Sequence, residues 1–369
     1  MYDAIIVGSG TVGLTIANLL SNLGLKICLI EKGSVTNDVS KAVGVNDECL
    51  LAWQLCGVLE KISDYIGYNQ EGEIILKYFD AEKRKIFALH QSLGVDNFPK
   101  GVVILQNKID EILLQNLRGK VDLFFDEEVI GIIQNHEFIA VNTKKNSYET
   151  KYLIAADGRE SSVRQLLGIK INLLSESKDE WLILNLLVKN RVLTKEFAEV
   201  FCGSQRSVVS CPLPCDHHRL EISLLKNEHD ILNHEEKIRK IVSAYTDFPN
   251  YEIVNKFKLR FTTAIAEKYY ENHIALCGDA AHCTAPFASA GLVSGVRDCL
   301  VLYEMFKSKN IKFSRYQKLR YQKQIGSLKL AIKLGQVMRP SWFSEKILFF
   351  VIRFFARSRL FISYLSLRS

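Results

Sequence analysis

Tyr2-Asp3-Ala4-Ile5-Ile6-Val7-Gly8-Ser9-Gly10-Thr11-Val12-Gly13-Leu14 opens the chain and decides its fold. Tyr2–Val7 is an apolar run of strand length and Gly8–Gly13 is a glycine turn. Leu14–Leu23 has helical spacing, and Leu25–Ile30 is a second apolar run that ends at Glu31 and Lys32. Strand, glycine turn, helix and strand together form the unit that cradles a dinucleotide. Gly8 permits the tight turn. Gly10 lacks a Cβ, so the backbone can approach a pyrophosphate, and Gly13 lets the helix pack close to the strand. Thr11, Val12 and Gly13 open the helix, whose free N–H groups and positive dipole end suit phosphates. Glu31 stands where an acid can accept hydrogen bonds from a ribose. A solvated strand end is its other reading.

The chain has 369 residues, more than one ordinary core holds, so two lobes are expected. With 48% hydrophobic and 24% charged residues it has the composition of a soluble globular protein. The net charge of +7 suits an anionic substrate or cofactor phosphates and does not argue for nucleic acid. Nine cysteines follow neither disulfide nor zinc spacing. They read as reduced, mostly buried thiols of a cytoplasmic protein without a metal site. The first apolar run is the opening strand itself, so no signal peptide is expected. No apolar run reaches the length of about 18 residues that a membrane span needs.

Val45–Val58 has helical spacing closed by Gly57. Ile74–Phe79 and Ile86–Leu89 alternate as a hairpin, Lys108–Leu117 reads as a helix, and Tyr152–Ala156 as a buried strand ending in Ala156-Asp157-Gly158. Trp181–Val188, Ser207–Cys211 and Arg219–Leu225 read as strands of a second sheet, followed by a helix over Glu235–Tyr245. Ile274–Cys277 then returns to the first pattern, with Gly278-Asp279 at its end and a helix from about Gly291. The expected fold class is α/β with mixed α+β character. Residues 1–72, 101–170 and 269–340 would form a discontinuous Rossmann-like cofactor domain. Residues 73–100 and 171–268 would form an inserted β-sheet substrate domain, and 341–369 a C-terminal helical region. Ligands in such folds sit at the C-terminal ends of the parallel strands, where Gly8, Asp157 and Asp279 all fall.

Three motifs stand together: Gly8–Gly13 with Glu31, Asp157-Gly158-Arg159-Glu160-Ser161-Ser162-Val163-Arg164, and Gly278-Asp279-Ala280-Ala281-His282. The set resembles the FAD-dependent aromatic hydroxylases, the single-component flavoprotein monooxygenases, and most of all the 3-(3-hydroxyphenyl)propionate hydroxylase type without its C-terminal thioredoxin-like extension. Lys41–Glu48, Trp181–Leu186 and Arg219-Leu220-Glu221 support the likeness. It implies FAD as cofactor, with NAD(P)H and O2 as co-substrates. The implied reaction hydroxylates a small aromatic, phenolic substrate through a flavin C4a-hydroperoxide.

The resemblance also implies residue roles. Glu31 would hold the adenosine ribose, Gln106 would touch FAD near its pyrophosphate, and Lys41 stands where an arginine is common near the flavin. Asp157 and Gly158 would lie near FAD and the path of NAD(P)H, and Asp279, after Gly278, would bind the ribityl hydroxyls. The turn from Pro286 through Gly291, Leu292 and Val293 would bring helix N-terminal N–H groups to flavin N1 and the C2 carbonyl. Asp157 could equally cap the following helix, Gln106 could be a loop residue, and His282 reads better as packed than as catalytic. Where the family usually has Pro-Pro, Gly-Gln-Gly and an Asn after the histidine, this chain has Ala285-Pro286, Ser289-Ala290-Gly291 and Leu292-Val293.

Arg206, His217, His218, Arg219 and Arg260 are the candidates on the sheet domain, which should form the substrate lid; a carboxylate substrate would want one of the arginines, surface charge is the other reading of each, and no catalytic base is singled out. Rival readings are a same-fold FAD oxygenase acting by epoxidation or Baeyer–Villiger insertion in natural-product or quinone tailoring, and a degenerate FAD-binding protein. The aromatic and arginine-rich run from Ile347 to Ile362 admits packing on the protomer, a homodimer contact or an interfacial membrane helix. Packing or dimerisation is favoured over membrane contact. Glu31→Ala is expected to weaken FAD binding by about 1–3 kcal/mol, read by fluorescence titration of the flavin-stripped protein.

Overall fold

The computed structural model describes residues 1–34, 42–188, 197–285 and 290–340, together with Phe349. In chain order its elements are β1 (Tyr2–Val7), α1 (Thr11–Ser21), β2 (Ile27–Ile30), β3 (Gly44–Val45), α2 (Asp47–Leu55), β4 (Ile66–Gly67), β5 (Ile74–Phe79) and β6 (Lys85–His90). There follow β7 (Val102–Ile104), α3 (Gln106–Leu117), β8 (Asp122–Phe124), β9 (Val129–Gln134), β10 (Ile139–Thr143), β11 (Ser147–Ala155) and α4 (Ser162–Leu166). Then come β12 (Ile171–Leu187), β13 (Ala198–Phe201), β14 (Val208–Pro212), β15 (His217–Ser223), α5 (Glu235–Tyr245) and β16 (Glu252–Ala266). The last are β17 (Tyr270–Glu271), β18 (Ile274–Leu276), β19 (His282–Cys283), α6 (Ala290–Lys307) and α7 (Phe313–Met338).

The first sheet runs β8-β2-β1-β11-β18, every neighbour parallel, with β17 on one edge and the β9-β10 hairpin against β11. Its central strands are apolar on both faces because helices cover both, so Ala4–Val7 and Ile27–Ile30 are buried residue after residue. From β1 the chain crosses to β2 on one side, while β11 and β18 lie on the other. Strand order therefore reverses at β1/β11, where open α/β sheets bind ligands. The close approach of Gly8 and Gly13 is literal. A Cβ on Gly8 would meet the Ala156 carbonyl oxygen at 2.4 Å, and one on Gly13 would meet the Gly8 carbonyl oxygen at 2.0 Å.

The second sheet runs β19-β16-β12-β15-β14-β13-β5-β6. Strand alternation gives it two faces. Leu182, Leu184, Leu186, Leu220 and Ile222 pack against Ile238 and Val242 of α5. Trp181, Ile183, Phe257, Leu259 and Phe261 face the other way and cluster with Ala285, Met338 and Phe349.

Three features depart from the sequence expectations. β12 begins at Ile171 rather than Trp181, and the long β16, absent from the expected strands, pairs along it. His282-Cys283, placed with the cofactor lobe, pairs with β16 of the second sheet. Gln106 opens α3 and is not a loop residue. Among the described residues no helix is long and apolar enough to cross a membrane. Apart from Phe349, the C-terminal run lies outside them.

One buried carboxylate ties these parts together. Asp298 of α6 is fully buried. Its Oδ2 accepts the Gly278 N–H at 3.0 Å and lies 2.7 Å from His282 Nε2, while its Oδ1 accepts Arg320 Nε of α7 at 2.6 Å. Burial opposes its ionisation, but His282 and Arg320 outweigh that and hold the carboxyl below its ordinary range. Tyr316 adds a second tie from α7, donating to the Leu276 carbonyl at 2.8 Å. Asp298→Ala leaves Arg320 as a buried cation without its partner. We expect a loss of about 3–5 kcal/mol of stability in denaturant unfolding, with α7 the first helix to lose hydrogen-exchange protection.

Candidate cofactor site

The glycine turn opens toward solvent at one point. Nothing lies within 4 Å of a Cβ built on Gly10 or on Gly158, so the backbone there is approachable, whereas Gly8 and Gly13 are walled in by protein. Gly10 stands at the N-cap of α1 and no side chain caps the helix; its first turn holds no acid. The first intrahelical bond is Leu14 N–H to Gly10 carbonyl, which leaves the N–H groups of Thr11, Val12 and Gly13 without helical acceptors. Thr11 and Val12 offer only their backbone here, because their side chains are engaged elsewhere. The Thr11 hydroxyl accepts Gln106 Nε2 at 2.9 Å, and the Val12 methyls fill the hollow over Gly278 and Gly295.

Glu31 reaches back to the turn. Its Oε2 accepts Ser9 N–H at 2.7 Å and its Oε1 accepts Gly33 N–H at 2.9 Å, so the carboxylate is a strap as well as an acceptor. Oε2 also accepts the Ser9 hydroxyl at 3.1 Å, so it is Oε1 that keeps a lone pair for a ribose hydroxyl. Lys32 follows it, exposed. Gln106 bridges, donating to Thr11 and accepting Ala42 N–H at 2.7 Å through Oε1. Lys41 and Pro286 lie outside the described residues.

Asp157 supports the start of the helix that follows it. Ser161 is the N-cap of α4, its hydroxyl accepting Arg164 N–H, and Asp157 Oδ2 adds a bond from Val163 N–H at 3.1 Å. Its Oδ1 is buried and makes no hydrogen bond. Arg164 joins this motif to the next: its guanidinium donates to the carbonyls of Ala280 at 3.0 Å and Arg159 at 2.9 Å. Gly278 sits at φ +61°, and Asp279 beyond it is exposed. Gly291, Leu292 and Val293 lie in the first turn of α6, which also holds no acid. The motifs thus sit at the ends of adjacent parallel strands, β1, β11 and β18, with two helix N-termini beside them. A buried acceptor oxygen without a partner, open glycine backbone and the uncapped N-terminus of α1 suit a dinucleotide of phosphates and riboses.

The substrate candidates do not converge. His218 is buried against Phe248, near the α5 layer, with its Nε2 2.8 Å from Ser210 Oγ. His217 Nδ1 lies 2.8 Å from the Cys215 carbonyl, Arg206 pairs with Glu228 at 2.6 Å, and Arg260 is exposed. Arg219 faces the inner wall. It is 2% exposed, pairs with Glu221 at 2.9 Å and lies 5.9 Å from the Phe257 ring centroid. In register, Asn185 lies beside Arg219 and Ile183 beside Glu221, on the face of Trp181. Sequence reasoning did not single out Glu221, which stands two residues from Arg219, the same-face spacing of a strand.

A model of the FAD binding domain matches residues 1–308. The chain belongs to the FAD binding domain family. FAD is its cofactor accordingly. This FAD-binding chain is 28% identical over 302 residues to 3-(3-hydroxy-phenyl)propionate/3-hydroxycinnamic acid hydroxylase of Burkholderia cenocepacia, covering 79% of the chain and 54% of that relative. It is 24% identical over 352 residues to the protein of the same name from Escherichia coli O139:H28, covering 91% and 62%. The chain thus spans little more than half the length of these curated relatives. In fold it is similar to p-nitrophenol 4-monooxygenase PnpA from Pseudomonas putida DLL-E4, with TM-score 0.87, 17% identity, and 100% and 97% of the two chains covered.

Asp110, missed in the sequence, lies directly beneath the turn. Burial pushes its carboxyl up to about 7, although Thr11 and Gln106 hydrogen-bond to it. A carboxyl that ionises near 4 when unfolded and about 7 when folded holds its proton only in the native state between those values. Its stabilising effect is therefore full in acid and is lost as pH rises through that window. Asp110→Asn should raise stability at pH 8 by about 1–3 kcal/mol and leave it nearly unchanged at pH 4, read from unfolding midpoints at the two pH values.

Proposed function

We propose that the chain is a FAD-dependent monooxygenase that uses NAD(P)H and O2 to hydroxylate a small phenolic molecule. One observation carries the reading. Ala285, in the segment leading from the Gly278-Asp279 motif to the N-terminus of α6, packs into the cluster of Trp181, Phe261 and Met338 on the second sheet. That junction offers an apolar wall beside the place where a flavin ring would lie. The names of the relatives, a hydroxyphenyl acid and a hydroxycinnamic acid, support a phenol as the substrate class.

In this reading Glu31 holds the adenosine ribose, and the N–H groups of Thr11, Val12 and Gly13 receive the pyrophosphate, with Gln106 and Lys32 alongside. Asp157 and Gly158 line the middle of the cofactor, Asp279 takes the ribityl hydroxyls, and Gly291 to Val293 present N–H groups to the flavin N1 side. Lys41 and Pro286 belong to the same proposal by the resemblance. Bound there, FAD would supply the redox chemistry. The protein's part is to exclude water, orient the ring and manage a phenolic proton. Trp181, Ile183 and Phe257 give the apolar plate. Glu221, held by Arg219, offers a carboxylate to the ring hydroxyl.

The test is a panel of phenols, with NAD(P)H consumption and product mass followed together. We expect at least one phenol to stimulate consumption and to gain one oxygen atom. Glu221→Gln should lower that turnover by about 10²-fold or more at unchanged flavin content. Consumption that no phenol stimulates, or that yields only peroxide, contradicts the reading.

A further inference from the structure

Charge is unevenly spread along this chain. From Phe313 to Ser369 the sequence holds twelve Lys and Arg and a single acid, Glu345, while the whole chain has a net charge of only +7. The 312 residues before that point are therefore net acidic. Within α7 itself there is no Asp or Glu. One of its cations, Arg320, is buried on Asp298. The others are exposed.

Their placement on the helix is regular. At 100° per residue, Arg315, Lys318, Lys329 and Lys333 fall within about 60° of one another, with Gln322 between them and Gly326 and Gln336 alongside. The stripe runs about 27 Å along the helix. It lies opposite the face of Tyr316, Arg320, Gln324, Leu328, Ala331 and Met338, which is buried against the protein. None of the four stripe cations has an ion-pair partner among the described residues, although α6, α5 and α3 all answer exposed cations with acids, as in Lys307–Glu304, Arg239–Glu235 and Lys108–Glu111. A solvated helix face is ordinarily laced with such pairs. This one has been cleared of negative charge.

We infer that the outward face of α7 is a docking surface for an anionic lipid membrane. The complement of a long single-sign stripe is an extended surface of the other sign, and each cation near an anionic leaflet adds attraction. The sequence beyond the helix continues the bias, with Trp342, Phe343, Phe354 and Phe355 among Arg353, Arg357 and Arg359, the residue mix of a membrane interface. A nucleic-acid surface would interleave stacking aromatics with the cations. The stripe itself carries none. The inference is independent of the phenol reading, because vesicle binding needs no turnover.

The FAD-loaded full chain is to be sedimented with vesicles of phosphatidylcholine alone or mixed with phosphatidylglycerol, at low and high salt. We expect binding to the mixed vesicles only, weakened by salt. Joint Arg315→Gln, Lys318→Gln, Lys329→Gln and Lys333→Gln substitution should weaken it about ten-fold or more at unchanged flavin content. A charge-matched control, with Lys120, Lys145, Lys226 and Lys237 changed to Gln at exposed sites elsewhere, should bind as the parent does. Equal loss in both variants, equal binding to neutral vesicles, no binding to anionic vesicles, or retention of the parent by single-stranded RNA in preference to vesicles would each overturn the inference. Should the stripe variant lose flavin, reversing Lys329 and Lys333 singly to Glu in separate chains gives the same readout with less perturbation, and parental binding by both overturns it.

Discussion

The carboxylate of Asp298 is the constraint on which the cofactor end of this molecule depends. A buried charge is costly unless donors and a counter-charge surround it. Asp298 has the Gly278 N–H, His282 and Arg320. The three come from the strand-end motif, β19 at the edge of the second sheet, and α7. Satisfying one carboxylate therefore fixes how α6 and α7 lie against β18. It also holds Gly278 in its left-handed turn, so that Asp279 projects outward. α6 begins eight residues before Asp298, so the same clamp sets where its N-terminal turn lies.

From there the structure reads as a chain of couplings. Arg164 joins the Asp157 motif to the Ala280 carbonyl, so two of the three motifs share a side chain. α7 carries the coupling to the second sheet. The Met338 carbonyl at its end accepts the Ser207 hydroxyl at 2.9 Å and the Gly203 N–H at 3.1 Å, and its side chain joins the Trp181 cluster. α6 opens with Ala290 and Gly291, residue types without polar side-chain atoms. The backbone is enough for N–H donation, because the donors of a helix's first turn do not depend on side chains.

Much of this was legible because it is local. The opening strand, turn and helix, the β5-β6 hairpin, α5 and the β18 strand end all announce themselves through period or glycine within a dozen residues. What was not legible depends on contacts far apart in sequence. Asp298 looks like one more charge in an amphipathic helix until its face is known. Asp110 looks like an exposed acid of α3. β16 carried a readable alternation, Phe257, Leu259 and Phe261 against Lys256, Lys258 and Arg260, but its length follows from pairing with β12. The five substrate candidates failed as a set for a simpler reason: His218 and Arg219 are neighbours in sequence, and adjacent strand residues point to opposite faces. Residue types alone do not reveal which face is the inner one.

The central claim is that the strand-end motifs form one site for the whole dinucleotide, adenosine end included. Calorimetric titration of flavin-stripped protein with FAD, FMN and riboflavin tests it most directly. The account predicts one FAD per chain, with FMN and riboflavin much weaker, because Glu31 and the α1 N-terminus address a ribose and a pyrophosphate that those ligands lack. FMN bound as tightly as FAD, or no flavin bound at all, would contradict it.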